Sequence, residues 1–125
     1  MSDTFPGQDI DLSFLNEIAD GSNEFIIESI DMFLQQTPEI LQSISESIST
    51  KDWGTTASAA HKLKPNLGFF GMPISQAIMQ DIELMAKTGA PDAALLSAKF
   101  DEAHQLISVN LTALLRIKEE KEAES

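Results

Sequence analysis

No cysteine occurs in the 125 residues, which excludes disulfides and thiolate metal sites. A reduced compartment agrees with that absence. Tyrosine is missing and there is a single tryptophan. β-Branched residues never alternate with polar ones over a strand's length, so sheet structure is not expected. No apolar run is long enough to cross a bilayer. The opening MSDTFPGQDIDLS lacks the basic-then-apolar order of a signal peptide, and the cytoplasm is the expected location. Positive charge is scarce as well. Eight Lys and Arg stand against 20 Asp and Glu, for a net charge of −12. Such a surface repels phosphate backbones and anionic headgroups, which argues against nucleic-acid and membrane partners. It favours a partner with a basic or apolar docking face.

What is present is enough for one helical domain. The hydrophobic fraction is 42%, in the globular range, and the length suits a single core. A short segment with Leu12, Phe14, Leu15 and Ile18 ends at Gly21. Ser22 or Asn23 can then cap a long helix in which Phe25–Ile26, Ile30, Phe33–Leu34, Leu41, Ile44 and Ile48 recur at helical spacing. Pro38 either kinks that helix or marks where two meet. Lys51 and Asp52 form a turn, and a third helix runs from about Trp53 to Phe69 or Phe70. Gly71 ends it and Pro73 is placed to begin a fourth, which carries Ile74, Ile78, Ile82 and Met85. Gly89 fits the position just past its end. Pro91 and Asp92 start the last helix, with Leu95–Leu96, Phe100, Ile107, Leu111 and Leu114. Short connections imply antiparallel neighbours. The expected fold is therefore all-α: an antiparallel up-down four-helix bundle with a short additional N-terminal helix. Residues 1–9 form an arm, 10–117 the bundle, and 118–125 a charged tail expected to fray.

The third helix separates two kinds of residue. At 100° per residue, Thr56, Ala60, Leu63, Leu67 and Phe70 share an arc of roughly 80°, the core stripe. Ala57, Ser58, His61, Lys64, Pro65 and Gly68 fall on the other side. Neutral imidazole is a good nucleophile near neutral pH, since its ordinary pKa is about 6.5. Lys64, three residues on, is within reach of His61 and supplies an opposite charge for a phosphoryl group. Ala57 and Gly68 are small, so His61 stands on a low platform open to a convex partner. On this face alone, a solvated His beside a Lys is the better account.

Ala60-His61-Lys62-Leu63-Lys64, followed by Gly71 ten residues after the histidine, resembles the signature of the histidine-containing phosphotransfer (HPt) domain. That signature is A-H-x-L-K-G with a further Gly ten positions after the His. Phe33 and Leu34, with Pro38 and Leu41, look like the family's helix before the active one. Ile82-Glu83 followed by Lys87 and Gly89 looks like its "L-E … G" helix end. The resemblance spans about residues 10–115. It implies that His61 is the phospho-acceptor, that Lys64 stabilises the phosphoryl group, and that Gly71 shapes the end of the motif. It further implies a phosphoryl carrier with no ATP site. Such a carrier exchanges phosphate with response-regulator receiver domains and hybrid histidine kinases, the receiver supplying the Mg²⁺, so no metal or cofactor of its own is expected. The chain departs from the signature at Pro65, where the family usually has Gly. Pro65 cannot donate to the His61 carbonyl, at a cost of about 3 kcal/mol in a straight helix. Because the core stripe keeps its register through Leu67 and Phe70, the helix is expected to kink there and continue, tilting His61 outward.

His104 reads as a partly buried histidine at the margin of the last helix's stripe. Trp53 reads as the anchor of the active helix. Met32, Met72, Met79 and Met85 read as core filler. In the family the first helix lies near the active His and helps dock the receiver, so apolar exposure around Ile10, Leu12 and Phe14 bears on docking. Two rival functions follow from the same residues. One is a helical bundle that binds receivers without being phosphorylated, and the other is a hydrolase built on the many carboxylates. No carboxylate pair or nucleophile–base constellation supports the second. A monomer is the simplest expectation for the assembly.

Overall fold

The computed structural model describes residues 10–124, so the expected arm at 1–9 lies outside the described residues. Five helices follow one another: α1 Ser13–Ala19, α2 Asn23–Ser49, α3 Trp53–Phe69, α4 Pro73–Lys87 and α5 Ala93–Glu124. Among the described residues there is no strand. Each long helix begins where a side chain satisfies its free N–H groups or where none is needed. Ser22 Oγ accepts from Phe25 N at 3.2 Å. Asp52 accepts from Thr55 N at 3.3 Å, and Asp92 from Leu95 N at 3.0 Å. Pro73 opens α4 at a position whose N–H would have no partner. The ends of α2, α3 and α4 share a device. Lys51, Gly71 and Gly89 take left-handed backbone, and the next N–H returns to a carbonyl five residues back.

Side-chain pairs give the register. Asn23 and Asp31 of α2 meet Glu124 and Lys118 of α5, so these two run antiparallel. In α3 and α4, Lys64 lies level with Gln80 and His61 with Glu83, again antiparallel. Lys99 of α5 pairs with Asp81 of α4 at 3.2 Å. The helices α2, α3, α4 and α5 thus close a four-helix ring, and α1 lies against α2. The core is continuous through Ile30, Ile44, Leu63, Leu67, Met79, Ile82, Leu96, Ile107 and Leu114. At the end of α3, Phe70 packs tilted against Phe33 and edge-on against Phe69, with ring centres 4.6 and 5.2 Å apart.

Of the two readings of Pro38, the meeting of two helices is excluded, because α2 runs through it as one helix. Three expectations are corrected. The charged tail expected to fray forms the last two turns of α5. Ile117 is buried there, and Lys118 reaches Asp31 at 3.1 Å. His104 is exposed rather than partly buried, its ring stacked on Phe100 at 5.7 Å. Met32 is no core filler, being 58% exposed, whereas Met72 and Met79 are fully buried.

Candidate functional site

Helix α3 continues through Pro65. His61 projects from it into solvent, its side chain 69% exposed. Ala57, placed by the sequence on the same open platform, is instead buried. The helix packs against both α2 and α4, so its buried arc is wider than the apolar stripe and takes in Ala57. Pro65 is exposed, and without an N–H it leaves the His61 carbonyl without its usual helical donor. Gly68 is not open floor. Gln76 Nε2 donates to the Lys64 carbonyl at 3.2 Å, and a Cβ at Gly68 would come within 2.7 Å of that same nitrogen. Gly68 therefore seats the Gln76 amide. Gly71 has φ +66, and a Cβ there would lie 1.7 Å from the carbonyl oxygen of Asp11. Its missing side chain lets the segment before α1, with Ile10 and Leu12 buried, cross the end of α3 in direct contact.

The residue that organises the site is Glu83 of α4. Its side chain is only 3% exposed and meets three partners. His61 Nδ1 lies 3.0 Å from Oε2. Lys64 Nζ lies 2.6 Å from Oε1 and Lys87 Nζ 2.8 Å from Oε2. Lys64 also donates to Gln80 Oε1. A carboxylate this deep is tolerable only with such partners. The hydrogen bond from Lys64 first, and that from Lys87 second, outweigh desolvation and hold its pKa at about 2, below the ordinary 4.5. Glu83 is therefore ionised at neutral pH and can only accept hydrogen bonds. From that chemistry the proton of neutral His61 is assigned to Nδ1, which donates to Glu83. Nε2 then carries the lone pair, on a ring open to solvent. The arrangement is that of an imidazole nucleophile oriented by a buried carboxylate, with one ammonium, Lys64, drawn in beside it.

The sequence reading placed His61 and Lys64 on one face, and both side chains reach Glu83, but it assigned no role to Glu83, Lys87, Gln76 or Gln80. A signal was available. Position 83 falls on the stripe of buried Met79, Ile82 and Ala86, and an acid on a core stripe requires a cation. Lys87, four residues on, is one such partner.

The Hpt domain family model matches residues 28–114, most of the chain. The chain belongs to the Hpt domain family. Among solved structures, this Hpt domain is similar to the HPT domain of the Hpt sensor hybrid histidine kinase from Shewanella. The two are 24% identical over 86% of this chain and 90% of that one, with a TM-score of 0.72, a likeness that shows a shared helical-bundle fold. No curated protein matches the chain. The family match starts inside α2 and ends inside α5. It therefore covers the whole His61–Lys64–Glu83–Lys87 cluster, but not α1 or the last turns of α5. Among the described residues, no helix is long and apolar enough to cross a membrane.

Proposed function

We propose that this Hpt domain is a phosphorelay intermediate that accepts a phosphoryl group on Nε2 of His61 from a receiver-domain aspartate and passes it to another receiver. The observation that carries the reading is the exposed imidazole held through Nδ1 by a buried, ionised carboxylate. A histidine on a merely solvated face has no such partner. Nε2 attacks phosphorus in line with the departing aspartyl oxygen. Lys64, already drawn to the site by Glu83, offsets the negative charge of the transferred group. The receiver brings the acid pocket and the Mg²⁺, and the chain acts as a carrier rather than as an enzyme with turnover. Its partners are response-regulator receivers and a hybrid histidine kinase, met in the cytoplasm.

The surface beside the site suits such a partner. Phe14 and Ile18 of α1 are about half exposed, and Phe14 packs edge-on against Phe69 at 5.8 Å. Phe69 and the exposed Met32 border one groove. Phe69 lies two turns beyond His61, roughly 12 Å along the α3 axis. This apolar patch on an acidic molecule is the proposed seat for the apolar, partly basic face of a receiver.

The test is phosphotransfer from a phosphorylated receiver with Mg²⁺. Native protein should take up the group, His61→Gln should take up none, and Lys64→Ala should lose most of the phosphohistidine while still binding the receiver. Binding without transfer to the native protein would favour a docking or inhibitory bundle instead.

A further inference from the structure

A phosphoryl group brings three acceptor oxygens and up to about two negative charges to a site where Lys64 is already engaged. An ammonium has three N–H donors. Two of those on Lys64 are committed, one to Oε1 of Glu83 at 2.6 Å and one to Oε1 of Gln80. The ionised Glu83 also offsets much of the charge that Lys64 could offer. A single ammonium donor is left for three oxygens, on a chain whose net charge of −12 opposes an incoming anion.

Gln80 has the donors that are missing. His61, Lys64, Gln76 and Gln80 line one groove between α3 and α4, of about 460 Å³. The rest of its lining, Pro65, Pro73 and Ala77, has no side-chain donor. The amide of Gln76 is committed to the Lys64 carbonyl at 3.2 Å. Gln80 is exposed and differs. Lys64 can only donate, so the end of the Gln80 amide that it meets is the carbonyl oxygen, which fixes the orientation of the amide. Nε2, at the other end, has no hydrogen-bond partner among the described residues. An ammonium on Oε1 also draws electron density from the amide and makes its N–H groups stronger donors.

Resting on the reading that Nε2 of His61 carries the group, we propose that Gln80 is a second phosphoryl-binding residue, whose Nε2 donates to a phosphoryl oxygen while its Oε1 keeps hold of Lys64. The two act as a linked pair, one donor charged and on α3, the other neutral and on α4. The contact matters most between receivers. While a receiver is docked, its Mg²⁺ and acid pocket hold the phosphoryl oxygens. Once it leaves, only the chain's own donors remain, and Gln80 is the one whose donor atoms the resting site leaves unspent.

Phosphoramidate can load His61 in the full chain without any receiver. Nε2 attacks phosphorus, the P–N bond breaks, and ammonia departs with the electron pair. The side-chain amides are then followed by ¹H–¹⁵N correlation before and after loading. The Gln80 amide protons should move downfield, and by more than those of Gln76, whose partner does not change. After phosphoramidate is removed, Gln80→Met, which keeps the length of the side chain without its donor, should lose the phosphoryl group about fivefold faster, the factor for one ordinary hydrogen bond. A role confined to holding Lys64 leaves Nε2 unbonded and moves the Gln80 amide no more than that of Gln76. That result, or equal lifetimes in native protein and Gln80→Met, would overturn the inference and leave the phosphorelay reading standing. Failure of phosphoramidate and phosphorylated receiver alike to load His61 would remove both. Should Gln80→Met not fold, the amide shift in native protein decides alone.

Discussion

A carboxylate held between two ammonium groups ties the chemistry of single residues to the stability of the fold. Glu83 titrates at about 2 in the folded chain, against an ordinary value of 4.5. Below 4.5 the unfolded chain binds a proton that the folded one still refuses. The stabilisation from this residue is thus complete above 4.5 and is lost as pH falls toward 2. Glu83→Gln should cost roughly 1–3 kcal/mol at pH 7, and urea denaturation from pH 7 to 2 should show native protein and variant converging below 4.5. Two glycines make a second comparison. Gly71→Ala meets left-handed backbone and the Asp11 carbonyl, whereas Gly89→Ala meets left-handed backbone and open space. The first should cost at least about 2 kcal/mol and the second about 1 kcal/mol. Equal costs in chemical denaturation would show that the strap before α1 yields freely. At this scale the sequence displayed His61 and Lys64 because they share one helix face. It hid Glu83 because its partners come from α3, 19 and 22 residues away, as well as from its own helix. It misplaced Ala57 because a helical projection does not say how many neighbours a helix has.

Whole helices were the most legible level, since apolar spacing, the Ser22, Asp52 and Asp92 caps, and the Gly71–Pro73 punctuation all act locally. Proline was the exception. Local rules leave open whether a helix breaks at Pro38 or Pro65, and tertiary packing on both sides of each residue carries α2 and α3 across them. The last turns of α5 were misread for a related reason. Their charged composition suggests a solvated tail, but Ile117 and Lys118 each find partners on the bundle. Because Pro65 leaves the His61 carbonyl without its helical donor, Pro65→Ala should stabilise the chain. The upper bound is about 3 kcal/mol, reduced by the added freedom of the unfolded chain. Thermal denaturation of the two proteins measures it, and a lower Tm for Pro65→Ala would mean that the ring of Pro65 makes a packing contribution larger than the missing hydrogen bond.

For the molecule as a whole, the proposed function has the net charge of −12 and the exposed apolar Phe14, Ile18 and Met32 act on the partner rather than on the chemistry. Met32→Glu and Phe14→Asp should weaken receiver binding at least about tenfold, equivalent to roughly 1.4 kcal/mol, while leaving loading by phosphoramidate unchanged. Added salt should slow association, as for any pair steered by opposite charge. Isothermal titration and stopped-flow mixing measure the two effects. An unchanged affinity in both variants would move the docking face elsewhere on the bundle. The central claim is that Nε2 of His61 carries the phosphoryl group. Its most direct test is ³¹P NMR of ¹⁵N-histidine-labelled protein incubated with a phosphorylated receiver and Mg²⁺. The account predicts an acid-labile phosphoramidate signal, coupled to Nε2 and absent in His61→Gln. A signal that persists in His61→Gln, or no signal despite measurable binding, would contradict it.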